Sequence, residues 1–405
     1  MDTAPSTRPA WPGRRPRPLL IWAITLSGIT ANTLIAPVVP DIIHAFGRPD
    51  SSAGVIVAAA SMPGVAAAPV IGVLADRIGR RNVVVPCLAV FGIASLVAMA
   101  APTYWVLVAA RFAMGFGSAG LINLSVVLIG DHYDGEERVR QVGRNAAVLT
   151  AGLAVLPLLA GVLAAVGTWR LSQAPCALAL VTAWAAWREL DDLRPPHAEA
   201  TLGQQLRDAG TTLRTPVIAA TMASGFLIFV MIFGLFLTTL PVHLEREFGL
   251  QAAARGAMLA VPALTSTLVS LNLARLRAVL GLRPLLVVGA ALFGVSILLA
   301  GWAAALAAVV VGLLLYGVAE GFTVPSLQEV TAARAPAAQR GTVLAVWVSA
   351  VRLGQALGPL LFAAIFAAIG TGPTLMVGAA VCVPVVLLHA FTGIGREPEV
   401  LGDPA

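Results

Sequence analysis

Gly72-Val73-Leu74-Ala75-Asp76-Arg77-Ile78-Gly79-Arg80-Arg81 is a charged interruption between two apolar stretches, each long enough to cross a bilayer. Asp76, Arg77, Arg80 and Arg81 do not belong in hydrocarbon, so the run reads as a tight loop at a membrane surface. Its three arginines assign that surface to the cytoplasm, where short loops collect basic residues. Gly72 and Gly79 read as positions that permit a sharp turn and close backbone approach.

The rest of the chain supports a membrane reading. Its 405 residues are 58% hydrophobic and 11% charged, with a mean hydropathy of +0.88, against about 25% charged in soluble domains. The formal charge of +6 is carried by arginines scattered over short loops, and no lysine is present. Without a basic stripe interleaved with aromatics, a nucleic-acid partner is excluded. Cys87, Cys176 and Cys382 all fall in apolar segments, an odd number with neither disulfide nor metal spacing. The histidines are scattered, so no metal site and no cofactor are expected.

About twenty apolar residues make one crossing, and twelve such stretches are legible, the sixth (173–188) being short. Arg14, Arg15 and Arg17 precede an apolar run from Leu19 that continues past Leu34, too long for a signal-peptide core. The expected organisation is a disordered cytoplasmic tail (1–18), a six-helix bundle (19–188), a cytoplasmic linker (189–215), a second six-helix bundle (216–392) and a tail (393–405). With both termini cytoplasmic, only Arg48, Arg170, Arg246 and Arg255 fall outside, and Arg111 and Arg352 lie within stretches. The remaining arginines are all on the inner side, which suits a multi-pass protein of a bacterial cytoplasmic membrane.

The halves echo each other. Pro40 and Pro241 are 201 residues apart, and the pairs Phe46-Gly47 and Phe248-Gly249 are 202 apart. Gly117 and Ala119 of the fourth stretch recur as Gly317 and Ala319 of the tenth. Parallel repeats of this kind are a transporter architecture, with the binding site near the midplane.

The loop Gly-x-Leu-Ala-Asp-Arg-x-Gly-Arg-Arg closely resembles the signature loop of the major facilitator superfamily. Leu34-Ile-Ala-Pro37-Val-Val-Pro40 and Arg111-Phe-Ala-Met-Gly115-Phe-Gly117 resemble further motifs of its twelve-helix drug/proton antiporter branch. The resemblance covers essentially the whole chain and implies an all-α membrane fold of two pseudo-symmetric six-helix bundles. The fifth stretch departs from the branch's antiporter motif: Leu156 stands where a glycine would precede Pro157, whereas Gly354-x3-Gly358-Pro359 of the eleventh is intact. The resemblance also implies a conformational latch, in which Asp76 caps the start of the eleventh helix near Gly341 and Arg80 pairs with Asp131. The plainer alternative makes Arg77, Arg80 and Arg81 topology anchors. The corresponding corner in the second half, Asn272-Leu-Ala-Arg275-Leu-Arg277, keeps arginines but no aspartate, so the latch is expected to be one-sided.

Ionisable residues inside membrane segments are functional candidates because of their insertion cost. Glu320 is the only carboxylate well inside a stretch; burial disfavours its charged form, which suits a proton carrier. Arg111 and Arg352 are the other candidates, Arg111 through a family motif linked to proton transfer. The alternative for Glu320 is a static ion pair with Arg352. Asp41, at the outer end of the first stretch, is either a fourth proton-coupling group or a solvated boundary residue. Asn32 and Asn123 either line a cavity or bond between helices. Phe226, Phe229, Phe233 and Phe236 share one face of the seventh stretch, and with Trp347 they either grip an apolar cargo or pack. Gly152, Pro157, Gly354, Gly358 and Pro359 are candidates for helix bending or close packing.

Together these features predict a proton-coupled exporter of small hydrophobic compounds, monomeric, with protons and membrane lipid as its other partners. An importer or facilitator of a sugar or organic anion is the alternative reading. A receptor or enzyme would need an added soluble domain or a catalytic cluster, and no phosphate-binding loop is present for ATP-driven transport.

Overall fold

Within a bilayer, backbone N–H and C=O groups have no water to bond, so an apolar chain must satisfy them within helices. The computed structural model describes residues 15–191, 214–335 and 340–394. The expected tails and linker therefore lie largely outside the described residues. Among these, eleven helices are long and apolar enough to cross a membrane. They are α1 (Pro18–Ala45), α2 (Ser52–Ile78), α3 (Arg80–Ala100), α4 (Tyr104–His132), α5 (Gly135–Val166), α7 (Pro216–Phe248), α8 (Ala252–Leu280), α9 (Leu282–Trp302), α10 (Leu306–Arg334), α11 (Arg340–Ile369) and α12 (Thr371–Phe391). The short sixth stretch is a 3-10 segment, Leu171–Ala177, running into α6 (Leu178–Glu189).

The chain forms two compact units. The first comprises Met1–Arg48, Val55–Thr201 and Gln251–Gly256; the second comprises Pro49–Gly54, Leu202–Leu250 and Ala257–Ala405.

Unit 1 is held by small residues and by buried polar clusters. A Cβ at Gly115 would lie 2.6 Å from the Ala60 carbonyl on α2, and one at Gly117 would lie 2.6 Å from that of Cys87 on α3. Between α1, α4 and α5, Thr25 donates to Asn145 Oδ1 at 2.7 Å and its hydroxyl lies 2.7 Å from that of Ser125. Asn145 Nδ2 closes the triangle on Ser125 at 3.3 Å. All three are buried, so each needs the others as partners.

Unit 2 packs α11 tightly on α7. Cβ atoms at Gly354 and Gly358 would each lie 2.4 Å from a carbonyl oxygen of α7, those of Phe226 and Val230. Beyond that contact α7 widens into a π-helical segment, Ile232–Thr239. Thr238 and Thr239 donate, each at 2.7 Å, to the carbonyls of Phe233 and Gly234 five residues earlier.

Packing also corrects the repeat register. A Cβ at Gly317 would meet the Pro262 carbonyl at 2.0 Å, the contact that Gly115 makes with Ala60. Both members of that contact recur 202 residues later, so Gly317 is the counterpart of Gly115 rather than of Gly117. Two glycines spaced by two gave the sequence match more than one register, and only the helix neighbours distinguish them.

Candidate functional site

The corner between α2 and α3 turns at Gly79, whose φ of +96° is a backbone region that side chains avoid. The turn places Arg80 at the first position of α3, one helical turn from Asp76. Arg80 pairs with Asp76, and its Nε lies 3.0 Å from Asp131 Oδ2 at the inner end of α4. The side chain of Arg80 is only 11% exposed and that of Asp131 20%. One guanidinium thus bridges two carboxylates of unit 1, a geometry its fork of donors suits. Arg81 lies over the Trp187 ring at 5.5 Å, and Arg77 is exposed. Gly72 differs from the sequence reading. A Cβ there would meet nothing within 4 Å, because it sits on an open face of α2, so close backbone approach does not explain it.

Arg111 is fully buried in unit 1. Its Nε donates to the Ile56 carbonyl (2.6 Å), and its terminal nitrogens donate to the Ala31 carbonyl (3.0 Å) and to Asn32 Oδ1 (2.9 Å). Asn32 in turn donates to Ser61 at 3.1 Å. A cation is held here by neutral oxygens of α1 and α2, and Asn32 bonds between helices. Asn123, by contrast, is exposed.

In unit 2, Glu320 stands half-buried on α10 with the Ser266 hydroxyl of α8 as its hydrogen-bonding neighbour. Arg352 on α11 bonds Gln355 on its own helix at 3.4 Å. Among the described residues Glu320 and Arg352 form no ion pair with each other. Phe229 lies 6.2 Å from Phe233 and 6.5 Å, edge to face, from the buried Trp347. Phe226 is half-buried on α7 ahead of them. Phe236 leaves this group: past the π-helical turns its ring stacks on Tyr316 at 4.6 Å. The even stripe read from the sequence is broken because π turns advance the face differently from α turns.

Asp41 is paired rather than simply solvated. Its partner is Arg255, a side chain only 1% exposed, in the part of α8 that belongs to unit 1. Sequence reasoning placed Arg255 only as an outer-loop arginine, since nothing local signals a partner 214 residues away. The Thr25–Ser125–Asn145 cluster was missed for the same reason. Pro157 and Pro359 lie inside continuous helices, as do Gly152, Gly354 and Gly358. A Cβ at Gly152 would lie 2.7 Å from the Leu26 side chain, so this glycine lets α1 approach α5.

A chain of membrane-length helices with charged corners and buried ionisable groups defines a multi-pass membrane protein. It belongs to the Major Facilitator Superfamily, whose family model matches residues 21–276 and 222–404. Over 353 residues it is 27% identical to the bacillibactin exporter of Bacillus subtilis (strain 168), covering 82% of this chain and 86% of that protein. It is likewise 27% identical over 353 residues to the class E tetracycline resistance protein of Escherichia coli, covering 83% and 84%. Among solved structures, a D-xylose-proton symporter aligns with a TM-score of 0.77 at 18% identity, covering 93% of this chain and 97% of the other. At that identity the likeness is one of fold. The chain is a multi-pass membrane transporter and not an enzyme.

Proposed function

We propose that this transporter exports small, mainly hydrophobic compounds in exchange for protons, by alternating access of two six-helix bundles in a bacterial inner membrane. In this reading the 3-10 segment and α6 make the twelfth crossing, and both termini are cytoplasmic. The protein works as a monomer. The observation that carries the proposal is Glu320: a half-buried carboxylate inside α10, with a neutral hydroxyl beside it and no pairing to Arg352. Such a group is positioned to take up a proton on one side and give it up on the other. Each proton entering brings about 2.3 kcal/mol per 100 mV of membrane potential. Similarity to a bacillibactin exporter and to tetracycline resistance proteins supports the outward direction. The cluster of Phe229, Phe233 and Trp347 on α7 and α11 supports an apolar cargo.

The latch reading of Asp76, Arg80 and Asp131 belongs to the same proposal: the bridge holds the inner corner of unit 1 in one arrangement and is remade in each cycle. Arg111, with no carboxylate among its bonded partners, fixes α1 and α2 against α4 and supports proton transfer there. Asp41 is reassigned from proton coupling to an ion pair with Arg255.

In proteoliposomes, Glu320→Gln is expected to abolish substrate-driven proton movement while the purified protein remains folded. Unchanged coupling would remove Glu320 from the mechanism. Arg352, whose bonded partner is the neutral Gln355, favours a second reading, uptake of an organic anion. The same assay separates the two, because protons moving with the substrate rather than against it would favour uptake.

A further inference from the structure

Four arginines gather where α3 begins and α6 ends, and unit 1 uses them in two ways. Arg80 is spent on Asp76 and Asp131, and Arg17 pairs with Glu189. Arg81 and Arg188 are not spent: among the described residues neither side chain forms an ion pair or donates a hydrogen bond. Each is instead laid over an indole. Arg81 lies 5.5 Å from the centre of the Trp187 ring, and Arg188 lies 4.4 Å from that of Trp184. Stacking uses the flat face of a guanidinium, and the N–H donors in its plane stay free for an anion.

The helices explain how two such cations come together. Trp184 and Trp187 are three residues apart on α6, which puts their Cβ atoms about 5–6 Å apart on one face. Both rings are more than half exposed, at 55% and 54%. Arg188 reaches Trp184 from one turn further along the same helix. Arg81 comes from α3, which α6 approaches closely because position 92 is a glycine: a Cβ there would lie 2.6 Å from Leu180 Cγ. Two cations are thus held over neighbouring rings. The acids nearby do not answer them, since Glu189 is taken by Arg17, and Asp191, past the end of α6, bonds neither.

The surface that leads away from these cations is apolar. Leu178, Val181 and Trp184 recur every three residues on the exposed side of α6. Arg188 is ten residues beyond Leu178, about 15 Å of helix, or half of the roughly 30 Å hydrocarbon core of a bilayer. A cationic corner, amphipathic indoles at the boundary and one leaflet's depth of exposed apolar surface match a phospholipid from headgroup to chain. A soluble phosphate compound or an acidic peptide would use the cations and leave the apolar strip unmatched.

We propose that Arg81, Trp184, Trp187 and Arg188 form a binding site for an anionic phospholipid. Its phosphate bridges the two guanidiniums, and one acyl chain lies along Val181 and Leu178. The choice of the cytoplasmic leaflet rests on the topology proposed above; the site itself rests on the stacking and the exposed face, and not on the export reading.

The test reads lipid contact and needs no transported substrate. Purified full-length protein is reconstituted in phosphatidylcholine vesicles carrying a minor fraction of brominated lipid, either phosphatidylglycerol or phosphatidylcholine. Quenching of Trp184 and Trp187 is taken from the share of emission that a Trp184→Phe/Trp187→Phe variant lacks. Brominated phosphatidylglycerol is expected to bind about tenfold more tightly than brominated phosphatidylcholine, the preference two surface arginines confer. Arg81→Gln/Arg188→Gln should bring the two lipids level. Either change alone should lower the preference about threefold, which keeps the test usable should the double variant fold poorly. Arg140→Gln removes the same charge from an exposed arginine of α5 that lies over no ring among the described residues, and should leave the preference unchanged. Equal quenching by the two lipids in the parent would overturn the proposal, as would a fall in Arg140→Gln that matches the double variant. Displacement of brominated phosphatidylglycerol by soluble glycerol phosphate would also overturn it, by making the corner a site for free phosphate compounds.

Discussion

The corner between α2 and α3 and the corner between α8 and α9 are built on one turn and charged in different ways. Gly79 (φ +96°, ψ 152°) and Gly281 (φ +79°, ψ 159°) stand 202 residues apart in nearly the same backbone conformation. At the first corner Arg80 bridges Asp76 and Asp131 and is largely shielded from solvent. At the second, Arg277 pairs with Glu329 of α10, but both side chains are open, at 38% and 52% exposure. The corner's own sequence lacks an acid, and a one-sided latch was the expectation. An acid is present there nonetheless, because Glu329 comes from another helix. What separates the corners is therefore burial and the second carboxylate. A shielded guanidinium that loses its place strands Asp131, whose side chain is 20% exposed, whereas an exposed pair is exchanged for water at little cost.

Four substitutions bear on that difference. Arg80→Ala should have the largest effect, a destabilisation of about 2 kcal/mol, discounted from the fully buried case because the site is partly solvated. Transport in proteoliposomes should fall at least about tenfold with it. An effect no larger than that of a surface pair would make the first corner an anchor and not a latch. Gly79→Ala and Gly281→Ala should come next and should match each other, at about 1–2 kcal/mol each from backbone strain alone, read as thermal unfolding in detergent. A clear inequality would mean that the shared turn is not what the corners have in common. Arg277→Ala should be the smallest, below about 0.5 kcal/mol, with transport rates unchanged. A large loss there would restore the symmetry between the two corners.

Much of the fold was legible because its cause is local. Apolar stretches of membrane length, prolines near helix starts and arginines crowding one side each act over a few residues. The pairing of Arg80 with Asp131 was reached by family resemblance. The kink in the aromatic stripe was not legible, since nothing in Phe226–Phe236 announces that α7 becomes π-helical at Ile232 and sends Phe236 to Tyr316. Asp41 was ambiguous for want of a visible partner, and Asn32 became a helix-to-helix bond only once Arg111 was seen to reach it.

By itself the sequence determined that the chain lies in a membrane, how its helices are spaced, and that its halves repeat, because hydrophobicity and chain periodicity are properties of consecutive residues. Tertiary structure alone decided which charges meet. It joined Arg255 to Asp41, gave Arg277 the carboxylate of Glu329, left Glu320 beside a hydroxyl instead of Arg352, and put the repeat of Gly115 at Gly317. The physical reason is that an ion pair or a glycine contact has a range of a few ångströms in space and no preferred distance along the chain. The partners are therefore set by how the helices pack.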